Sequence, residues 1–508
     1  MNFLKILILQ MYSKSLFVLH KILSFSLLWV ATLLCGEPFL APDDPFIRHE
    51  IRMLGDEGDL LGLQNNWPLN LGALSGYTSD EKPNWGHSLL EDKIEAENNS
   101  GWSPIRSTIG FSDNRVTSRG FGPEPRSNFA SNVSVSWMND RFAAKLSMNA
   151  FYGMEKDWKG RMDEGFALDG SYFSTRLGNW SATLGQVDRW WGPGWDGSLI
   201  LSSNARPIPA ISIERRIPDA FESKWLSWLG PWTFQTFVGR MEEERHIPNP
   251  YLWGMRGDLN PTILGGLEVG FFRMIQLGGK GRPQAFNTFV DAFLSEDNYG
   301  ANTGNNDRSQ EPGNQLAGID FRWRILDAPI ALYGQVVGED EDKFFPNCLM
   351  FQYGIEGWMS WHESSLRVFA EYIDLTSYWW TGDSRTRNIS YGHHIYHDGY
   401  RYRGRPIGHW ADQDSQILSF GSLLLKNSGV GFGSTVRTGK LNEDGIGGNS
   451  SVSANTSTDY FSVEIFNGRV YPQYGLSVHI SIGWESLQPT GVQKDDGLSG
   501  FVSLTRIF

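Results

Sequence analysis

Two segments concentrate the residues that could do chemistry. Gly185–Arg206 reads GQVDRWWGPGWDGSLILSSNAR, with three Trp, two Asp, two Arg and four Gly. Indole faces stack on the C–H faces of sugar rings, and Asp, Asn and Arg pair with hydroxyls through hydrogen bonds. The candidate glycan contacts here are Asp188, Arg189, Trp190, Trp191, Trp195, Asp196, Asn204 and Arg206. Gly and Pro suit an irregular loop that folds inward. The competing reading is that Trp190, Trp191 and Trp195 pack as a core that closes a mouth, and the two are compatible.

The second segment, Tyr378–His409, holds four His, five Tyr, two Trp and five Arg. Its candidate glycan contacts are Tyr396, Tyr400, Tyr402, Arg403 and Arg405. His393, His394 and His397 invite a metal reading, but the surrounding Gly and Tyr disfavour the helix that the 394/397 spacing would need. Ser390, His393 and Asp398 lack a nucleophile-elbow pattern, which speaks against a hydrolytic triad. Neither a catalytic set nor a cofactor is implied. The acidic run Gly338–Asp342 is read as a solvated loop tip that could hold divalent cations. Gly278–Gly281 lacks phosphate-loop spacing and is expected at a periplasmic turn.

The elements that must position these loops alternate with period two from Trp102 onward. Ala317, Ile319, Phe321, Trp323 and Ile325 interleave with Gly318, Asp320, Arg322 and Arg324; Leu476, Val478, Ile480, Ile482 and Trp484 share one face. One apolar and one polar face is what a membrane barrel wall requires. Eighteen strands are expected, near 102–112, 130–139, 141–152, 167–177, 179–187, 206–216, 229–242, 262–275 and 284–295, then 314–325, 328–338, 350–361, 365–376, 415–425, 427–438, 458–467, 475–485 and 498–508. Most connections after even-numbered strands are tight and those after odd-numbered strands are long. That places both chain ends in the periplasm and loops 188–205 and 377–414 outside. Connections 217–228 and 276–283 fit less well. The chain closes on Phe508, with Leu504 and Val502 on its face, like the terminal strand recognised by the barrel-assembly machinery.

Composition agrees. Aromatic residues make up 14%, with 21 Trp, although mean hydropathy is only -0.33. Interfacial Trp girdles around a polar lumen reconcile these values. A soluble two-sheet β protein is the structural rival. Residues 22–34 form a short apolar run after Lys14 and Lys21, so residues 1–36 read as a signal peptide cleaved near Gly36. Leu34 before Cys35 disfavours a lipoprotein. Loss of Cys35 would leave Cys348 alone, which excludes an intramolecular disulfide. The net charge is -13, and removing Lys5, Lys14 and Lys21 leaves 41 basic against 57 acidic side chains, near -16. That balance argues against nucleic acid as a partner. Asp43-Asp44-Pro45 caps a helix that Gly58 can end, and a second is expected at 89–97. Residues 37–100 thus read as a small periplasmic helical region, a cap or plug on the barrel of residues 101–508.

Long motifs point to one family. DRWWGPGWDGSLILSSNARPIPAISIER at 188–215, WLSWLGPWTFQTFVGRMEEERHIPNPYLWGMRGDLNP at 225–261, GGKGRP at 278–283, NQLAGIDFRW at 314–323 and YGHHIYHDGYRYRGRPIGHWADQDS at 391–415 resemble the Wzi family of capsule-assembly outer-membrane proteins. RHEIRMLGDEGDLLGLQNNWPL is similar to that family's periplasmic helical region. The resemblance implies an all-β, 18-stranded antiparallel transmembrane β-barrel with a small N-terminal periplasmic helical region. It also implies a lectin-like role, not an enzymatic one, in attaching or organising capsular or extracellular polysaccharide at the cell surface. The expected partners are that polysaccharide, outer-membrane lipid and, during biogenesis, the barrel-assembly machinery. An outer-membrane porin or sugar channel is the first rival and an outer-membrane enzyme the second.

Overall fold

Alternation along the chain resolves into a closed antiparallel wall of eighteen strands. A computed structural model describes residues 37–58, 60, 63–74, 89–90, 100–112, 117–153, 165–285, 290, 313–326, 328–342, 345–378, 388–446, 448–452 and 455–508. The first half of the wall comprises β1 (Gly101–Trp102 and Arg106–Ser112), β2 (Phe129–Met138), β3 (Phe142–Tyr152), β4 (Gly165–Ala167 and Tyr172–Leu177), β5 (Trp180–Gly185), β6 (Ala210–Arg215), β7 (Trp232–Arg240), β8 (Tyr251–Leu259) and β9 (Leu267–Leu277). The second half comprises β10 (Gly313–Arg324), β11 (Ile330–Asp342), β12 (Phe345–Trp361), β13 (Ser364–Tyr378), β14 (Gln416–Lys426), β15 (Val430–Leu441), β16 (Thr458–Tyr471), β17 (Leu476–Pro489) and β18 (Asp495–Ile507). β18 pairs back onto β1, from Phe501↔Ser112 to Ile507↔Arg106, so no strand edge is left open. Pro104, which has no N–H, marks the interruption of β1.

One expected strand is corrected, and one strand was not expected. The expected strand at 284–295 is absent from the wall, because β9 pairs directly with β10 from Leu267↔Trp323 to Leu277↔Gly313. Of that range only Gln284, Ala285 and Val290 are described, and none is in a strand. Conversely, Tyr251–Leu259 is a wall strand that the flanking Pro248, Pro250 and Pro261 disguise as loop. Its outward Tyr251, Trp253, Met255 and Leu259 alternate with lumenal Leu252, Gly254, Arg256 and Asp258. The errors cancel in the total. They also reverse one assignment: Gly278–Gly281 follows β9 and lies at the long-loop end. The second helix, expected at 89–97, lies outside the described residues apart from Leu89 and Leu90, which form a turn. Gly338–Asp342 is not a loop tip but the end of β11, and Glu339 is buried.

The outward face carries exposed Ile319, Phe321 and Trp323 on β10, while Asp320 and Arg322 between them are buried in the lumen. Helix α1 (Pro45–Glu57) also lies in that lumen. Asp44 accepts from the N–H groups of Phe46 and Ile47, and Gly58 ends the helix in a left-handed conformation, φ 91°. The helix's apolar residues, Phe46, Ile47, Ile51, Met53 and Leu54, are imperfectly spaced for a single face, and the cause is physical. The helix is surrounded, so Arg48, His49, Glu50, Arg52 and Asp56 are buried along with Ile51 and Met53. His49 and Asp56 meet the wall instead of water, while Arg48, Glu50 and Arg52 bond Pro193, Leu89 and Asn65 inside it. Asp56 accepts from Arg322 at 2.7 Å and Arg367 at 2.6 Å; both arginines also grip Glu356, at 2.5 and 2.9 Å. His49 Nε2 lies 2.9 Å from Ser365 Oγ. Phe46 packs where the wall carries Gly431 and Gly468; a Cβ there would come within 2.5 and 2.8 Å of its ring.

Candidate functional site: the closed long-loop end

The β5–β6 connection does not stand out from the barrel. It folds into the lumen and meets the N-terminal segment. Trp190 and Trp191 pair antiparallel with Trp67 and Asn66, and Phe121 fits edge-on between Trp67 (4.9 Å) and Trp190 (5.4 Å). The Arg48 guanidinium sits 4.5 Å from the Trp195 ring and 4.6 Å from Phe121, donating to Pro193 O at 3.1 Å. Trp191 Nε1 donates to Gln235 at 2.8 Å, and Trp195 Nε1 to Glu356 at 2.7 Å. Asp196 accepts from Arg437 at 2.7 Å and Ser419 at 2.6 Å. Burial alone would raise the Asp196 carboxyl; Arg437, His409 and those hydrogen bonds outweigh it and hold the group below its ordinary value.

The β13–β14 connection covers this insertion. Tyr391 and Tyr400 donate their hydroxyls to Leu199 O and Ile200 O, at 2.5 and 2.8 Å. Ser202 donates N–H to Ile407 O (2.9 Å) and Oγ–H to Gly408 O (2.6 Å), and Asn204 Nδ2 reaches Pro406 O at 2.9 Å. Tyr396 donates to Gly278 O at 3.0 Å, tying in the β9–β10 connection. Trp191, Leu199, Tyr391, Tyr400, Ile407 and Trp410 belong to one buried cluster. His409 is fully buried beside Asp196; burial pushes its imidazole down to about 4, Asp196 only partly opposing.

Of the residues singled out in the sequence, Arg189, Trp190, Trp191, Trp195, Asp196, Asn204, Tyr396, Tyr400 and Tyr402 are buried in this closure. Asp188, Arg206, Arg403 and Arg405 are half-buried on its rim. Asp188 pairs with Arg126 at 2.8 Å and Arg206 with Asp169 at 2.8 Å; Arg403 N–H donates to Glu242, and Arg405 Nη1 lies 3.3 Å from Asn204 Oδ1. Sequence reasoning missed Arg126, Asp169 and Glu242, whose partners lie far away in the chain with no local signal. It also missed Tyr391 and Trp410, which the aromatic density of 378–410 could have flagged. Ser390, His393 and Asp398, already disfavoured as a triad, each bond to other groups. Ser390 donates to Leu375 O, Asp398 accepts from His246 N, and His393 Nδ1 faces the N–H groups of Ile395 and Tyr396. Among the described residues no three His, Cys, Asp or Glu are grouped to hold a metal. His246 and His397 stack at 4.1 Å on the surface.

A closed, loop-filled eighteen-strand barrel with these motifs has relatives. The family model of the capsule assembly protein Wzi matches residues 98–494. This chain belongs to the Wzi family. It is thus a non-enzymatic outer-membrane β-barrel of a capsule-assembly family. A Klebsiella pneumoniae protein described as an uncharacterized 55.8 kDa protein in the cps region is 32% identical over 347 residues. That match spans 66% of this chain and 65% of the relative. The solved structure of Escherichia coli Wzi is described as that of a carbohydrate-binding β-barrel, an outer-membrane protein involved in group 1 capsule assembly. It is 26% identical, with a TM-score of 0.77, covering 93% of this chain and all of the other. In this Wzi-family chain the motif at 188–215 supplies the connection that folds into the lumen and the wall strand β6 that follows it.

Proposed function

We propose that this protein holds capsular or other extracellular polysaccharide at the cell surface, with its long-loop end outside and its short turns and N-terminal region toward the periplasm. The observation that carries the reading is the seal. Loops 186–209 and 388–415 interlock through backbone and tyrosine hydrogen bonds, and α1 fills the lumen beneath them. A sugar channel needs an open mouth, and this mouth is filled by side chains. What faces outward is a polar rim of Asp188, Arg206, Arg403 and Arg405, joined by Arg126, Asp169, His246 and His397. The carbohydrate binding of the Escherichia coli relative and the family's place in capsule assembly support the same ligand class. Many weak rim contacts to a repeating polymer sum through effective concentration. A strain lacking the protein is expected to shed polysaccharide into the medium while synthesising it at the normal level. Unchanged surface-bound polymer in that strain would sink the attachment role, and stable conductance steps in a planar bilayer would favour the channel.

A further inference from the structure

At the short-turn end one connection is not short. Residues 216–231, between β6 and β7, run sixteen residues where the neighbouring turns take two to seven. Their course is set by Arg215 and Trp232. Both lie on the outward face, since Glu214 beside Arg215 and Gln235 at an odd offset from Trp232 are lumenal, and exposed Ile211 and Ile213 share the face of Arg215. The Arg215 guanidinium lies 4.0 Å from the Trp232 ring and donates to Asp219 O at 3.0 Å. Phe221 then stacks flat on Trp232, at 4.8 Å and 9°. The segment therefore turns back against the outside of the wall and does not pass beneath the lumen.

From that clasp the chain presents Trp225, 87% exposed, with Leu226 and Trp228 also exposed. A short 3-10 turn, Ser227–Leu229, fixes them. Trp228 Nε1 donates to Trp225 O at 2.9 Å, and Trp228 O accepts the N–H and hydroxyl of Thr262 at 3.0 and 3.2 Å. This ties the segment to the β8–β9 turn, which carries exposed Ile263 and Leu264. A Cβ on Gly265 would in turn lie 3.2 Å from exposed Leu326 of the β10–β11 turn. Three adjacent turns thus make one apolar patch, continuous with the lipid-facing rows of β6 and β7. Trp side chains favour the headgroup level of a bilayer, where an apolar body and an N–H are both satisfied. Exposed Glu222 and Lys224 flank the aromatic residues, as in an element lying in the membrane plane.

We propose that residues 219–229 form a lateral foot that binds the phospholipid headgroup region of the leaflet at the short-turn end. The foot anchors the barrel's depth and rotation beyond what the strands themselves provide. It is independent of the polysaccharide reading.

The test uses full-length protein with Cys35→Ser and Cys348→Ser, carrying Trp225→Cys with an environment-sensitive dye. The protein is reconstituted in phosphatidylethanolamine/phosphatidylglycerol vesicles. A dye at Glu243→Cys, an exposed residue at the opposite end, is the reference. The Trp225 label is expected to shift to the blue, to be quenched severalfold more by headgroup-proximal spin-labelled lipid than the reference, and to resist an aqueous quencher. Quenching by brominated phospholipid of intrinsic Trp emission, compared between the unmodified chain and Trp225→Leu, reads the same contact without a label, and the variant should lose quenchable emission. A Trp225 label as open to the aqueous quencher as the reference, with no loss in Trp225→Leu, overturns the foot. It would leave the patch to a periplasmic protein instead.

Discussion

Asp56→Ala offers the sharpest test of how the N-terminal segment is held. Asp56 and Glu356 share two guanidiniums, Arg322 and Arg367, and all four side chains are buried. Removing one carboxylate leaves two guanidiniums to one acid. Breaking such a buried set from one side costs about 3–5 kcal/mol, because the stranded charge stays desolvated. The wall does not depend on Asp56, since its strands pair with each other. The loss should therefore appear as local opening of α1, raising its opening constant by about two to four orders of magnitude. Asp44→Ala, which removes only the N-cap contacts, should cost about 1 kcal/mol, or about fivefold. Hydrogen exchange of the peptide spanning 45–58, in detergent-solubilised protein, separates the two. Asp56→Ala combined with Arg367→Met restores one carboxylate to one guanidinium and should recover part of the protection. If exchange in Asp56→Ala matches that in Asp44→Ala, the ion set does not hold the helix.

Acid should loosen the closure. The His409 imidazole titrates near 6.5 when free and near about 4 when buried, so between these values the open loop binds more protons than the closed one. Stability is whole above about 6.5 and falls by about 3 kcal/mol as pH drops to about 4. His393, pushed down to about 3 by burial, adds in the same direction. Protease sensitivity of 388–415 followed across that window should rise on acidification, less steeply in His409→Gln; a flat profile contradicts the assignment. Arg403→Ala with Arg405→Ala should lower polysaccharide retention while the heat-modifiable mobility of the folded barrel is kept, and retention equal to that of the unmodified chain would remove these two from the rim site. Gly408→Ala should part the two loops, since a Cβ would sit 2.3 Å from Leu199 O and 2.4 Å from the Tyr391 hydroxyl; unaltered hydrogen exchange in 388–415 would show that the loops absorb it.

The wall was legible because its physics is local. Ile319, Phe321 and Trp323 must face lipid and Asp320 and Arg322 must not, and period two states this without knowledge of any neighbour. Tyr251–Leu259 hid because Pro248, Pro250 and Pro261 flank it, although Tyr251, Trp253 and Met255 alternate with Leu252, Gly254, Arg256 and Asp258 as in the other wall strands. Arg256 and its partners Asp258 and Asp320 form a buried set whose members are up to 64 residues apart, invisible as a pattern. The same distance problem concealed the interior. Asp44, Pro45 and Gly58 announce the helix, yet nothing near them says that Asp56 will meet Arg322 and Arg367 on the far wall. In the candidate site, residue types in 185–206 showed that aromatic and polar groups gather. They did not show which would be consumed by packing.

That division of labour bears on how a glycan can be held. Trp190, Trp191, Trp195, Tyr396, Tyr400 and Tyr402 are committed to the seal, so they offer no ring face to a sugar while the loops stay closed. The rim is left with Arg, Asp and His groups, several already paired to each other. Each direct hydrogen bond there contributes about 0.5–1.5 kcal/mol net, because it replaces one to water. A single repeat unit making a few such bonds barely offsets the cost of immobilising it. A polymer that returns to the rim with successive repeats gains from effective concentration without any new contact. Retention should therefore depend steeply on chain length: long polysaccharide held, short fragments of the same polymer binding far more weakly and failing to displace it. Fragment titration against immobilised protein measures this directly. Tight binding of a fragment of one or two repeats would mean that the loops open to expose their tryptophans, and that the seal is itself the binding site.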